Sequence, residues 1–263
     1  MDMTGFKRFS FSDGLYEHAV YSKGEGKPVL VLHELPGLTR DTRNFAERLI
    51  AAGFEVYLPL LYGKPEEKGS GRKGYFLCMT KEFGYLKAGT SAPVSDWLRA
   101  LARHLGASIG DRKIGVIGMC VTGAFAIPLI LETRVGAAVA SQPAVPFRLL
   151  YFFTGMGSGP WMSQLNISDD DLIAAGQASV NQATPLLIQR FVDDRLCPHE
   201  RVQRLYDNFP TTGTLYEYPA PADGKNKHHA LLTVEYDQAQ NPDASHSTRV
   251  ALQRLVAFLQ SHL

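Results

Sequence analysis

Short, unbroken apolar runs alternate along this chain with stretches in which apolar positions recur every three to four residues. Val29-Leu30-Val31-Leu32 follows Pro28 and has no polar member, the pattern of a strand buried on both faces. Phe45, Leu49 and Ala52 then fall at i, i+4 and i+7, which predicts a helix over about 41–52 with Gly53 as its stop. Phe54 to Leu61 reads as a strand again. Residues 93–105 carry Val94, Trp97, Leu98, Leu101 and Leu105 on one stripe, with Pro93 suited to the first turn and Gly106 to the end. Further strands are expected at Ile114–Gly118, Val135–Ala140, Pro185–Val192 and Thr214–Tyr218, with a helix of small residues over about 121–133. A last helix carries Leu252, Leu255, Val256, Leu259 and Leu263 on one face. Strands alternating with helices of this length imply crossover connections, so the expected fold is α/β: a mostly parallel central sheet flanked by helices on both faces. No repeat or linker-like break divides the chain, and residues 1–263 are read as one domain.

Two segments stand outside the alternation. Residues 62–91 are rich in Gly, Lys and aromatics, and residues 144–168 include Phe147, Tyr151, Phe152, Phe153, Trp161 and Met162 with few charges. Insertions of this length serve as lids or binding loops, or form irregular buried patches.

Charge removes several function classes. The 27 Lys and Arg nearly cancel 26 Asp and Glu, so no basic surplus exists to hold nucleic acid or an anionic membrane. The uncharged stretches Ile114–Leu131 and Leu149–Ser168 are interrupted by Gly, Ser, Asn and Pro and do not resemble membrane spans. The N-terminus, Met-Asp-Met-Thr-Gly-Phe-Lys-Arg, lacks the apolar core of a secretory signal, and the Asn166-Ile167-Ser168 sequon is read as chance. Three cysteines, Cys78, Cys120 and Cys197, show no disulfide pattern. A soluble cytoplasmic protein, monomer or homodimer, with reduced thiols is expected.

In a sheet of this kind reactive groups sit at the carboxyl ends of the strands, which here carry His33-Glu34, Cys120, Asp193-Asp194 and His229. The strongest local signal is Gly118-Met119-Cys120-Val121-Thr122-Gly123. A strand runs into a helix through small residues, the context of a nucleophile turn, with Gly118 letting the chain pass beneath the thiol. A lone cysteine is more often buried and inert. The strand-turn-helix context favours a nucleophile, and its glycines at 115, 118 and 123 do not space as a dinucleotide-binding loop. A thiol nucleophile wants a base, and the base wants an orienting carboxylate. Asp194 follows the apolar run 185–192, with Asp193 as its rival, and His229 lies beyond the last strand in Lys227-His228-His229-Ala230. The chain order Cys, Asp, His is that of nucleophile, acid and base in α/β-hydrolases. Adjacent His228 and His229 point in different directions on regular backbone, so no metal is expected.

These residues resemble the dienelactone hydrolase family of the α/β-hydrolase fold over roughly 28–263. The resemblance rests on His33-Glu34-Leu35-Pro36-Gly37 after the early strand, the Gly118-to-Gly123 turn, Asp194-x-x-x-Pro198, and His229-Ala-Leu. It implies Cys120 as nucleophile, His229 as base, Asp194 as orienter, and the N–H groups of Val121 and Leu35 as oxyanion hole. It further implies that Glu34 holds the resting thiol as a switch. Two positions depart from the family pattern. Thr122 stands where the turn usually has Gly, and Thr233 stands where the family's type member has an arginine for the substrate carboxylate; Arg72, Arg148 or Arg195 could substitute.

The expected activity is hydrolysis of a small ester or lactone through a Cys-His-Asp triad and a thioester acyl-enzyme, without a cofactor. The alternatives are a thioesterase or general carboxylesterase, a non-catalytic binding protein of the same fold, or a redox sensor pairing Cys120 with Cys78 or Cys197.

Overall fold

The computed structural model describes residues 3–62, 89, 91–145, 159–221, 228–239 and 243–263. Its centre is an eight-stranded sheet in the order β1-β2-β4-β3-β5-β6-β7-β8. The strands are β1 (Lys7–Ser12), β2 (Glu17–Lys23), β3 (Lys27–Leu32), β4 (Phe54–Pro59), β5 (Ile114–Met119), β6 (Val135–Ser141), β7 (Leu186–Phe191) and β8 (Gly213–Tyr218). From β4 to β8 every pairing is parallel, whereas β1 pairs with β2 and β2 with β4 antiparallel. The expected mostly parallel sheet is present, with an antiparallel edge.

Strand alternation divides the core between two faces. Val29, Val31, Ile117 and Val139 pack against α1 (Arg40–Ala51) and α7 (Ser247–His262), through Phe45, Leu49, Ala251, Leu255 and Leu259. Leu30, Leu32 and Val116 point the other way, onto Trp97, Leu98, Leu101 and Leu105 of α2 (Pro93–Ser108). Farther along that face Ala138, Ala140 and Ile188 meet α4 (Asp169–Gln182) and α5 (His199–Asn208). Burying both faces is what leaves β5 without a polar residue and confines the polar residues of β3 and β6 to one end, Lys27 and Ser141. The short helices α3 (Gly159–Met162) and α6 (Val234–Gln238) complete the described elements.

One predicted element is corrected. In place of a helix over 121–133 the chain forms two 3-10 segments, Cys120–Ala126 and Pro128–Leu131. Pro128 has no N–H to give to Ala124, and its ring crowds the preceding turn, so an α-helix cannot run through it. The chain instead closes tighter bonds three residues apart, Ile127 N–H to Ala124 O and Ile130 N–H to Ile127 O.

Besides the short helices α3 and α6, four elements were not anticipated. In β1 Phe9 and Phe11 alternate with exposed polar residues, and Phe11 packs edge-on against Trp97 with ring centroids 5.5 Å apart. Strand β2 and helix α5 add two more. Helix α4 opens with Ser168 as N-cap, its side chain accepting the Asp171 N–H, and with three aspartates in the first turn. Most of the anomalous segments, with Cys78, Arg72 and Arg148, lie outside the described residues. No described helix is long and apolar enough to cross a membrane.

Candidate active site

Parallel strands all end on one side of the sheet, so the segments leaving β3, β5, β6 and β7 converge there. Cys120 leaves β5 at φ +54°, a left-handed conformation that costs a non-glycine residue energy, and is 8% exposed. The turn around it is tight. A Cβ on Gly118 would stand 2.3 Å from the Thr122 carbonyl oxygen, and one on Gly123 would stand 2.7 Å from Cα of Pro143. Only glycine fits at either position.

Asp194 lies three residues beyond β7 and is 2% exposed, whereas Asp193 is exposed. Its Oδ1 accepts the N–H groups of Leu196 (2.9 Å) and Cys197 (3.1 Å), and its Oδ2 lies 2.6 Å from Nδ1 of His229. The carboxylate is thus held by its own loop and aims its second oxygen at the imidazole. Arg190 fixes that loop from below, donating to the carbonyls of Cys197 (2.6 Å) and Val192 (2.7 Å) and to the Glu217 carboxylate.

Burial would push the His229 ring down, but the Asp194 charge and the Cys120 side chain raise it well above the ordinary histidine range. Nε2 of His229 is buried and has no partner at hydrogen-bond geometry among the described residues. His228 turns away from this group, with its ring edge-on to Phe191 and Nδ1 3.3 Å from Glu235. The two neighbouring histidines therefore serve different places. No cluster of three or more potential metal ligands occurs among the described residues.

Glu34 is 3% exposed beside this group, but its partners are not those the resemblance implies. Its Oε1 accepts from the Thr233 hydroxyl and its Oε2 from Nε2 of Gln142 at 3.4 Å; among the described residues it makes no hydrogen bond to the Cys120 thiol. Burial raises its carboxyl pKa, against the lowering effects of Thr233, His229 and Gln142. Gln142 follows β6 at φ +36°, and Ser141 and Gln189 continue the buried polar chain behind it. Sequence reasoning missed Gln142, although the rule that selects strand ends points to Ser141-Gln142 as well. The side chain at 233 engages Glu34, so this position presents no cation to a substrate. Arg195 is exposed.

Among the described residues neither the Val121 nor the Leu35 amide N–H has a hydrogen-bond acceptor. Cys197 is free and buried, and burial raises its thiol pKa far above the usual range, which makes it a poor redox partner for Cys120.

A model of the dienelactone hydrolase family matches residues 17–217. Among solved structures the chain is similar to a protein assigned as a dienelactone hydrolase from Klebsiella pneumoniae, at 17% identity and TM-score 0.62, covering 97% of this chain and 98% of that one. An esterase from Pyrococcus furiosus is 17% identical with TM-score 0.60, over 98% of this chain and 92% of that one. A dienelactone hydrolase-like promiscuous phosphotriesterase from metagenomic libraries is 14% identical with TM-score 0.62, over 98% of each chain. No curated protein matches. With the family model spanning most of the chain and the fold shared with these structures, the chain belongs to the dienelactone hydrolase family and is a carboxylic-ester hydrolase of the α/β-hydrolase fold.

Proposed function

We propose that the chain hydrolyses small uncharged carboxylic esters or lactones with Cys120 as nucleophile, His229 as base and Asp194 as its orienter. The observation that carries this reading is the 2.6 Å contact from Asp194 Oδ2 to His229 Nδ1, which leaves Nε2 for the cysteine on the strained turn. With Nδ1–H held by the carboxylate, Nε2 is the atom that accepts the thiol proton, and the raised proton affinity of the ring favours that transfer. The sulfur then adds to the carbonyl carbon, and the amides of Val121 and Leu35 receive the oxyanion, each worth about 2.7–4 kcal/mol in comparable sites. Collapse expels the alkoxide, which takes the proton from His229, and leaves a thioester. Water, deprotonated by His229, adds to the thioester carbonyl, and the thiolate departs with the proton returned to the site.

The engagement of Thr233 with Glu34 supports neutral esters over substrates bearing a carboxylate, as a general carboxylesterase would have. The test compares p-nitrophenyl butyrate with the p-nitrophenyl monoester of succinic acid, using wild type, Cys120→Ala and His229→Ala. The wild type should turn over the neutral ester with the higher kcat/KM, and both variants should fall below about one per cent of it. Turnover surviving in Cys120→Ala would end the thiol mechanism. Preference for the anionic ester would end the substrate assignment alone.

A further inference from the structure

Thr122 is fully buried, and its hydroxyl lies among the ends of two strands. Oγ1 accepts the Met119 N–H at 3.1 Å, and its single proton has three carbonyl acceptors within reach: Met119 O at 2.9 Å, Leu32 O at 3.0 Å and His33 O at 3.3 Å. Met119 ends β5 and leads into the nucleophile turn, whereas Leu32 ends β3 and His33 begins the loop bearing Glu34 and Leu35. One side chain therefore joins the two segments that carry the proposed oxyanion amides. Val121 is its immediate neighbour, and Leu35 stands two residues past His33. The β3 end is anchored from its other side, where the Tyr62 hydroxyl donates to His33 O at 3.1 Å.

We infer that Thr122 is a positioning residue for the oxyanion hole: its hydroxyl fixes the spacing between the Val121 and Leu35 amides just past the point, Leu32 beside Gly118, where the β3–β5 ladder ends. The inference rests on the thiol-hydrolase reading. The bond from β5 to β3 needs a hydroxyl, and valine fills the same space without supplying it. Without the bond, the β3–β5 ladder still holds both strands as far as Leu32 and Gly118, but the two amides beyond its end no longer converge on one point. An oxyanion hole is sensitive to such a change, because a displacement of about 1 Å in a reacting geometry costs on the order of a hundredfold in rate.

The experiment separates hole from nucleophile. For wild type, Thr122→Val and Thr122→Ser, kcat and KM for p-nitrophenyl butyrate are measured beside two probes. Iodoacetamide alkylates the thiolate by displacement and forms no oxyanion. A trifluoromethyl ketone forms a hemithioketal whose oxygen occupies the hole. Thr122→Val should lose roughly 10- to 100-fold in kcat with KM within about threefold, and its trifluoromethyl ketone Ki should rise by a similar factor. Its alkylation rate should stay within about twofold of wild type, and Thr122→Ser should match wild type within about threefold in every measure. Should Thr122→Val not fold, Thr122→Ala carries the same comparison. Unchanged kcat in the hydroxyl-less variant would overturn the inference, as would alkylation falling in parallel with turnover or equal impairment in Thr122→Ser. Turnover persisting in Cys120→Ala would instead remove the thiol reading itself.

Discussion

His33, one residue before Glu34, shows what a single buried side chain imposes at this site. The Leu61 N–H donates to its Nε2 at 3.0 Å, so the ring proton sits on Nδ1, which faces the Glu34 carbonyl oxygen at 3.2 Å. A neutral ring satisfies both contacts, whereas a protonated one sets two N–H groups against each other. Burial, only partly opposed by the Glu34 carbonyl, pushes this histidine down to about 4. An unfolded histidine takes up its proton near 6.5, so between these values the unfolded chain binds more protons and stability falls with acidification. The contribution is complete above the unfolded value and is lost by up to about 3 kcal/mol as pH falls to the folded one. His229 has the opposite sign: its raised value stabilises the fold at low pH, and that stability is lost only above its unfolded pKa. Urea unfolding at pH 7 and pH 4.5 should therefore show a smaller acid loss for His33→Gln than for wild type. An equal loss would mean that His33 does not titrate as its contacts dictate.

At the scale of elements, the turn around Cys120 is tightly constrained. Gly118 lies where a Cβ would strike the Thr122 carbonyl at 2.3 Å, a backbone atom that cannot swing aside. Gly118→Ala should cost about 2–3 kcal/mol, lower Tm by roughly 5 to 10 °C, and reduce turnover beyond what the fraction folded explains. Wild-type Tm and turnover together would show that the turn has slack. The same turn marks where the sequence could and could not be read. Strands β3, β5 and β6 announce themselves because burial on both faces leaves them almost wholly apolar. The segment after Cys120 carries the apolar content of a helix, but Pro128 enforces a tighter winding, a local rule outranking a composition pattern. The alternation of Phe9 and Phe11 in β1 and the Ser168 cap of α4 were present in the sequence, but polar neighbours masked both.

Across the whole molecule, topology makes the site. Adjacent parallel strands β5, β6 and β7 end on one edge, so Cys120, Gln142 and Asp194 meet although long stretches of chain separate them. The order of Cys, Asp and His was legible in the sequence, and the contact between Asp194 and His229 agrees with it. What Glu34 bonds to was not legible, because its partners Thr233 and Gln142 come from the histidine segment and the end of β6, a juxtaposition that only the sheet order supplies. The central claim, a thiol nucleophile at Cys120, is tested most directly by trapping its intermediate. Wild-type protein is mixed with p-nitrophenyl butyrate, quenched in acid before the steady state, and mapped by peptide mass. The account predicts one butyryl group on the peptide bearing Cys120, released by neutral hydroxylamine as a thioester is. Acyl transfer to any other residue, or steady turnover with Cys120 never modified, would contradict it.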